Sequence, residues 1–194
     1  MHSWRGERRR QTLRFMNHMQ VGVLLTMIVI SSAYTQANEV PNPAAAHSLD
    51  WRVVNDNVMG GRSLGYIARS ADVLSFSGSL NTNGGGFASI RVGAGEMLRD
   101  PATGVRLKVR GDGREYTFRL RPRNSRISYW SQFATSKDEW LEVELPFDTF
   151  WPNWRGRRLN APQITSNQVV ELGLMINDGI DGAFAIEVDW IGVY

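Results

Sequence analysis

Residues 105–120 read VRLKVRGDGREYTFRL, and this stretch decides the fold class. On both sides of the turn at residues 110–114, apolar residues occupy every second position, and charged or polar residues lie between them. Alternation with a period of two is typical of a β-strand that buries one face. An Asp-Gly pair favours a tight reversal of the chain. The stretch therefore predicts two antiparallel strands joined as a hairpin.

The same alternation recurs along the chain from residue 49 onward, where no segment keeps a helical period over ten residues. Further strand-like segments, each bounded by Gly, Asn or Asp, are residues 73–80, 87–92, 141–145, 172–176 and 184–188. Short strands in this number predict an all-β fold, an antiparallel two-sheet β-sandwich or jelly roll. Residues 147–165 lack periodicity and are predicted to form a long irregular excursion, a feature that often carries function.

The N-terminal residues 1–37 have the layout of a secretory signal peptide. A basic start precedes the uncharged run at residues 21–33, and the small residues Ala33 and Ala37 offer cleavage points. The apolar run is shorter than the roughly 20 residues that span a bilayer. We therefore expect a secreted or periplasmic protein, with an uncleaved membrane anchor as the alternative. Residues 38–48, with two prolines, are predicted to be a linker to a β-domain at residues 49–194.

The charge of the chain is concentrated in this leader. The whole chain carries a net charge of +3, but residues 1–37 hold five arginines and one glutamate, which leaves the remainder at −1. Binding to nucleic acid loses its main support, because such binding depends on an excess of basic residues.

Catalysis by a thiol or an imidazole is excluded by composition. The chain has no cysteine, and its three histidines, His2, His18 and His47, precede the predicted β-domain. A Ser-His-Asp triad and a histidine metal site are therefore ruled out there, and no cofactor is expected. Acidic residues in glycine-bearing turns leave three readings open: turn-forming residues, a calcium site, or the carboxylates of a glycan-active enzyme. These residues are Asp56, Asp112, Asp178 and Asp181.

Aromatic and arginine side chains supply the candidate binding surface. Trp151, Trp154 and Arg155 lie in the irregular excursion, and Trp and Arg are common at interface hot spots. By contrast, Trp51, Trp140 and Trp190 flank strands and are expected in the core. Arginines at 119, 121, 123 and 126 form a basic strip, read either as a solvated face or as a site for an anionic ligand. The residues predicted to contact a ligand or partner are Asp56, Asn57, Arg62, Asn83, Asp112, Arg121, Trp151, Trp154 and Arg155.

Three motifs together resemble the complex I intermediate-associated protein 30 family. They are DNVMGGRS at residues 56–63, GGGFAS at 84–89 and RGDGREY at 110–116, and the resemblance extends over nearly all of residues 51–193. It implies a galactose-binding-like jelly roll and a chaperone-like, non-enzymatic role in assembling respiratory complex I (NADH:ubiquinone oxidoreductase). The leader is of the bacterial export type, which indicates an exported bacterial member.

Three functions follow as hypotheses. The first is a non-catalytic binding module that recognises a protein or a glycan through its loops. The second is an assembly factor or chaperone for respiratory complex I or another membrane enzyme. The third is a glycan-active enzyme that works with two carboxylates.

Overall fold

The computed structural model describes residues 43–70, 72–98 and 101–194. The predicted signal peptide and the first part of the predicted linker lie outside the described residues. In the described part of the chain, no helix is long and apolar enough to span a bilayer.

Thirteen strands and four short 3-10 helices make up the described fold. The strands are β1 (Ala44–Ala45), β2 (Arg52–Asn55), β3 (Leu64–Arg69), β4 (Leu74–Leu80), β5 (Ala88–Gly93), β6 (Gly104–Arg110), β7 (Glu115–Pro122), β8 (Ser128–Ala134), β9 (Trp140–Pro146), β10 (Trp151–Trp154), β11 (Arg157–Arg158), β12 (Val169–Ile176) and β13 (Gly182–Val193). The 3-10 helices are η1 (Ala46–Ser48), η2 (Asp56–Met59), η3 (Phe147–Thr149) and η4 (Ser166–Gln168).

The strands form two antiparallel sheets that share one core. The six-stranded sheet has the order β3-β4-β13-β6-β9, with β1 paired to β13. The seven-stranded sheet has the order β11-β10-β8-β7-β12-β5-β2. Phe76 and Leu107 of the first sheet and Phe118 and Leu174 of the second belong to the same buried cluster. The predicted all-β, antiparallel two-sheet sandwich is confirmed.

The predicted hairpin at residues 105–120 is wrong, although both of its strands exist. β6 lies in the six-stranded sheet and β7 in the seven-stranded sheet, so the turn between them crosses from one layer to the other. A Cβ on Gly111 would lie 2.3 Å from Oγ1 of Thr135, so the chain passes too close to the end of β8 for any side chain there. A turn that crosses between sheets needs the same residue types as a hairpin turn. Alternation shows which face of a strand is buried but not to which sheet the strand belongs.

Part of the predicted irregular excursion is regular. β10 pairs with β8 and with β11, and the two residues between β10 and β11, Arg155 and Gly156, both have positive φ, 52° and 79°. Two left-handed residues in a two-residue loop give the twist that a tight hairpin needs. This hairpin extends the edge of the seven-stranded sheet.

Two further expectations are corrected by burial. Residues 44–48, predicted as linker, belong to the sandwich, since β1 pairs with β13 and Ala46 is fully buried. Trp51 is in the core as expected, and its Nε1 donates to the carbonyl of Ala46 at 2.9 Å. Trp190 is half-buried. Trp140, however, is 38% exposed on the outer face of the six-stranded sheet, with the guanidinium of Arg110 over its ring.

Candidate functional site

The carboxylate of Asp56 binds three segments of chain together. It is fully buried and accepts the backbone N–H of Ser63 at 2.9 Å, the hydroxyl of Ser63 at 2.6 Å, and the N–H groups of Gly86 and Phe87 at 2.7 and 3.3 Å. Burial alone would raise the pKa of this carboxyl, but the hydrogen bonds outweigh it and hold the pKa below its ordinary value. Asp56 is therefore an ionised brace between η2 and the turn that leads into β5.

Two glycines make room for this brace. A Cβ on Gly61 would lie 2.2 Å from Cγ of Asp56, and a Cβ on Gly85 would lie 2.2 Å from its Oδ2. The neighbouring Gly86 has a φ of +125°, which side-chain-bearing residues rarely adopt. Gly61 of the first motif and Gly85 of the second thus serve the packing around one carboxylate.

The motif at residues 110–116 forms a second brace. Asp112 accepts the backbone N–H of Ala185 at 2.8 Å and the hydroxyl of Tyr116 at 3.2 Å. Arg114 donates to both carboxylate oxygens of Asp178, at 2.6 and 2.9 Å, and to the carbonyl of Ala183 at 2.8 Å. These bonds tie the β6–β7 turn to the loop between β12 and β13 and to the start of β13.

The charge states in this brace follow from its contacts. The hydrogen bond that Arg114 donates to Asp178 raises the pKa of Arg114 above its ordinary value, against the effect of burial. Burial would raise the pKa of Asp178, but its bond with Arg114 and the N–H of Ile180 hold it low. Burial, together with the charge of Asp112, raises the pKa of Tyr116. Arg114 and Asp178 are a fixed ion pair, and their donors and acceptors are used within the protein.

A single row of outward-facing residues crosses the seven-stranded sheet. Adjacent members are Cα partners in neighbouring strands, so the register places their side chains side by side on one face. In order from β2 to β10, the row is Arg52, Arg91, Gly173, Arg119, Trp130 and Trp151. A Cβ on Gly173 would lie 2.5 Å from Cγ of Arg119, so the stem of Arg119 lies across β12 where only glycine fits.

Four arginines on this face surround the carboxylate of Glu171. Glu171 is buried, with its side chain 6% exposed, and it pairs with Arg52, with Arg121 at 3.2 Å and with Arg119 at 3.8 Å. Arg91 completes the group: burial lowers the pKa of Arg91, and the charge of Glu171 opposes this shift only in part. Four positive groups thus surround one negative group. We call the surface formed by Arg52, Arg91, Arg119, Arg121 and Glu171 the basic face.

A cleft of about 430 Å³ opens over this face and includes the middle of the row. Its floor holds Arg91, Arg119 and Trp130; Gly85 and Phe87 stand on one side, and the β10–β11 hairpin stands on the other. Its remaining lining residues are Met59, Gly86, Arg126, Ser128, Asn153, Trp154, Arg155, Gly156, Met175 and Asn177. We call it the sheet cleft. Its volume lies within the roughly 300–1,000 Å³ of small-ligand sites.

The hairpin presents a stacked pair at the rim of the sheet cleft. The ring of Trp154 is 39% exposed, and the guanidinium of Arg155 lies 5.2 Å from its centre. Asn153 fixes the turn, because its Oδ1 accepts the N–H of Gly156 at 3.0 Å. The rim therefore combines an aromatic surface with hydrogen-bond donors.

The sequence model of the complex I intermediate-associated protein 30 family matches residues 39–188. The chain belongs to this family. The mitochondrial complex I intermediate-associated protein 30 of Mus musculus is 31% identical over 96 residues, which cover 45% of this chain and 29% of that protein. An uncharacterised protein of Schizosaccharomyces pombe is 27% identical over 157 residues, which cover 69% of this chain and 71% of that protein. The match thus spans less than a third of the mouse relative.

Among solved structures, the fold resembles a family 11 carbohydrate-binding module of Clostridium thermocellum. The module of the cellulosomal cellulase Lic26A-Cel5E has a TM-score of 0.53 at 11% identity, over 78% of this chain and 94% of that one. A structure of the same kind of module with a β-1,3-1,4-mixed-linked tetrasaccharide has a TM-score of 0.52 at 11% identity, over 75% of this chain and 90% of that one. At this identity the likeness shows the fold alone.

The residues predicted as contacts occupy different places in this family member. Asn57, Arg62 and Asn83 are exposed on the loops that Asp56 holds together. Asp56 and Asp112 were also predicted to bind a ligand, which stays a prediction; in the structure, donors of the protein itself bind both carboxylates. A calcium site requires carboxylate oxygens free to bind a cation, and donors of the protein occupy those of Asp56, Asp112 and Asp178.

The other four predicted residues lie on or beside the basic face. Arg121 is in the group around Glu171. Trp151 is half-buried at the end of the row, with the guanidinium of Arg158 over its ring, and Trp154 and Arg155 line the sheet cleft. The structure therefore brings part of the predicted set together at one surface.

Three central residues of the sheet cleft were not among the predicted contacts. Arg91, Arg119 and Trp130 come from β5, β7 and β8, and only the register brings them together. A signal was present in the sequence, because each occupies the polar position of an alternating strand. Arg119 was predicted as part of the basic strip at residues 119–126. Arg119 and Arg121 lie in β7, but Arg123 follows the end of that strand, so the strip does not continue along β7.

Proposed function

We propose that this protein is a non-catalytic binding domain that holds a polysaccharide in the sheet cleft. The observation that carries the proposal is the composition of the cleft, which combines the aromatic surfaces of Trp130 and Trp154 with the polar groups of Arg91, Arg119 and Asn177. Sugar rings offer flat apolar faces and a rim of hydroxyl groups, which such surfaces complement. The likeness of the fold to carbohydrate-binding modules supports the same function.

The lining of the sheet cleft does not suit glycoside hydrolysis. Its residues, all within the described part of the chain, include no aspartate or glutamate. Hydrolysis of a glycosidic bond commonly uses two carboxyl groups about 5–9.5 Å apart that flank the bond. Glu171, on the same face, is paired with arginines and does not line the cleft. A binding role is therefore favoured over the two-carboxylate enzyme.

Two tryptophans provide a matched test of the proposal. Trp154, in the sheet cleft, and Trp140, on the opposite sheet, are 39% and 38% exposed, and each carries an arginine over its ring. Affinity electrophoresis in gels that contain neutral or acidic polysaccharides should show retardation of the wild type. Trp154→Ala should weaken binding at least tenfold, whereas Trp140→Ala should not. Equal losses in both variants, or no retardation in any gel, would refute the proposal.

The family suggests a second candidate, a role in assembling respiratory complex I. It is favoured by the similarity to the mouse protein, which is named for its association with a complex I intermediate. Affinity purification of the full chain from its own cells tests this candidate. Co-purification of complex I subunits that Trp154→Ala abolishes and Trp140→Ala leaves intact would assign the sheet cleft to a protein partner.

We further propose that the protein is exported and that its mature form begins between Tyr34 and Asn38. This rests on the basic start, the short apolar run and the small residues at Ala33 and Ala37. N-terminal sequencing of material recovered outside the cytoplasm tests it. Full-length protein found only in the membrane fraction would instead indicate an uncleaved anchor.

A further inference from the structure

The basic face carries more positive charge than the fold requires. Arg52, Arg119 and Arg121 form ion pairs with the single carboxylate of Glu171, and the charge of Glu171 also acts on Arg91. Packing alone does not explain this arrangement, because one arginine suffices to neutralise a buried glutamate. Like charges gathered on a partly buried surface also repel one another.

Arg119 shows the energetic cost of gathering these charges, because its guanidinium is buried among them. The residue is 8% exposed, and burial, followed by the charge of Arg91, lowers the pKa of Arg119 to about 10. The folded protein thus binds this proton less tightly than the unfolded chain does, and the charged form of Arg119 costs stability at neutral pH. Strongly shifted pKa values of this kind cluster at functional sites.

One nitrogen in each of two guanidiniums also lacks a hydrogen-bond acceptor within the described part of the chain. Nε of Arg91 and Nη1 of Arg119 are buried and find no hydrogen-bond partner among the described residues. The 3.8 Å between Nη1 of Arg119 and Oε1 of Glu171 is an ion-pair distance but is too long for a hydrogen bond. Since both arginines line the floor of the sheet cleft, an anion that enters it meets guanidiniums short of acceptors.

We propose that the ligand of the sheet cleft is an acidic polysaccharide, whose carboxylate or sulfate groups bind Arg91 and Arg119 while its sugar rings pack against Trp130 and Trp154. This inference rests on the proposed function and specifies its ligand. The row places Arg119 directly beside Trp130 in neighbouring strands, so an anionic group and a flat ring are recognised side by side. An acidic sugar carries its charge on the ring itself, whereas an acidic peptide carries it on a flexible stem.

Matched polysaccharides test the charge requirement by isothermal titration calorimetry of the full chain. Polygalacturonate and its methyl ester share a backbone and differ in the carboxylate, and dextran sulfate and dextran differ in the sulfate. We expect at least one charged member to bind at least tenfold more tightly than its neutral counterpart. The difference should shrink in about 1 M salt, where the screening length is about 3 Å. The two pairs distinguish a carboxylate ligand from a sulfate ligand.

Three arginine variants test whether the charged polymer binds in the sheet cleft. Arg119→Met keeps most of the side-chain length and removes the charge, and it should lower affinity for the charged polymer at least tenfold without lowering the melting temperature. Arg126→Gln, at an exposed position in the cleft lining, should lower the affinity for the charged polymer severalfold. It replaces Arg119→Met as the test if that variant fails to fold. Arg69→Gln, an exposed arginine of the six-stranded sheet, is the matched control and should change nothing.

The outcomes separate this inference from the proposed function. Equal binding of charged and neutral polymers that is indifferent to the arginine variants would overturn the acidic ligand and leave polysaccharide binding in place. Binding of none of the four polymers would overturn both. Binding of polyglutamate as tightly as the charged polymers, with the same dependence on Arg119, would reassign the cleft to an acidic protein segment.

Discussion

Asp56 offers the sharpest test of how this domain is held together. We expect Asp56→Asn to destabilise the protein strongly, although the two side chains have nearly the same shape. The carboxylate receives four hydrogen bonds, three on Oδ2 and one on Oδ1. An amide can keep its oxygen toward the three donors only by turning its NH₂ group against the N–H of Ser63. One buried N–H then loses its acceptor, and the remaining bonds lose their ionic component.

The magnitude follows from these contacts. A buried donor left without a partner costs about 1–3 kcal/mol, and a hydrogen bond to a charged group contributes about 1.5–3 kcal/mol. Together these predict a loss of about 3 kcal/mol in the free energy of unfolding. For a domain of this size, that corresponds to a fall of about 6–12 °C in Tm. Urea denaturation and calorimetry measure both values, with Asp50→Asn, an exposed aspartate, as the control that should change neither.

The pH dependence provides an independent check. Because the pKa of Asp56 is lowered in the folded state, its ionised form stabilises the fold above about pH 4, the value of an unperturbed carboxyl. That contribution disappears as the pH falls through the folded-state pKa. Asparagine does not titrate, so the stability gap between wild type and Asp56→Asn should narrow below about pH 4. A gap smaller than 1 kcal/mol at pH 7, or one that stays constant with pH, would refute the reasoning.

Substitutions at Arg114, Trp154 and Gly85 test three other features of the structure. Arg114→Ala should lower the free energy of unfolding by about 3–5 kcal/mol in urea denaturation, because it leaves the buried carboxylate of Asp178 without its ion-pair partner. Arg114→Lys should restore little, since a lysine lacks the planar fork that pairs with Asp178 while also reaching the carbonyl of Ala183. Trp154→Ala should shift the unfolding free energy by less than about 1 kcal/mol, as expected for an exposed side chain, and a larger loss would mean that the ring packs under the hairpin. Gly85→Val should cost about 2 kcal/mol or more, because its Cβ would displace the Asp56 carboxylate, and in the Asp56→Asn background the additional cost should be smaller.

The sequence was sufficient to predict a sandwich of two antiparallel sheets. It was insufficient to predict which strands are joined within a sheet and which connections cross between the sheets. Alternation identified the strands around residues 105–120 because one face of each is buried. It could not assign β6 and β7 to different sheets, since both sheets bury the same kind of face. It also missed the β10–β11 hairpin, because the left-handed turn there uses Arg155-Gly156 instead of the more usual Asn-Gly.

The candidate site was harder to find for a related reason. Sequence motifs mark residues that are close along the chain, and here those residues brace loops, as Asp56 and Arg114 do. The face that holds the sheet cleft is assembled across strands, from positions as far apart as Arg52 and Trp151. Only strand order and register bring them together, and alternation predicts neither.

The separation of the Asp56 brace from the outer row has a practical consequence for protein engineering. Residues such as Arg91, Arg119 and Trp130 point outward from strands whose inward side chains form the core. These outward residues can therefore be substituted without changing Asp56 or the groups that donate to it. The domain therefore lends itself to recombinant reagents in which new specificities are selected on a fixed frame. Since it holds no cysteine, such reagents would fold equally well in reducing and oxidising compartments.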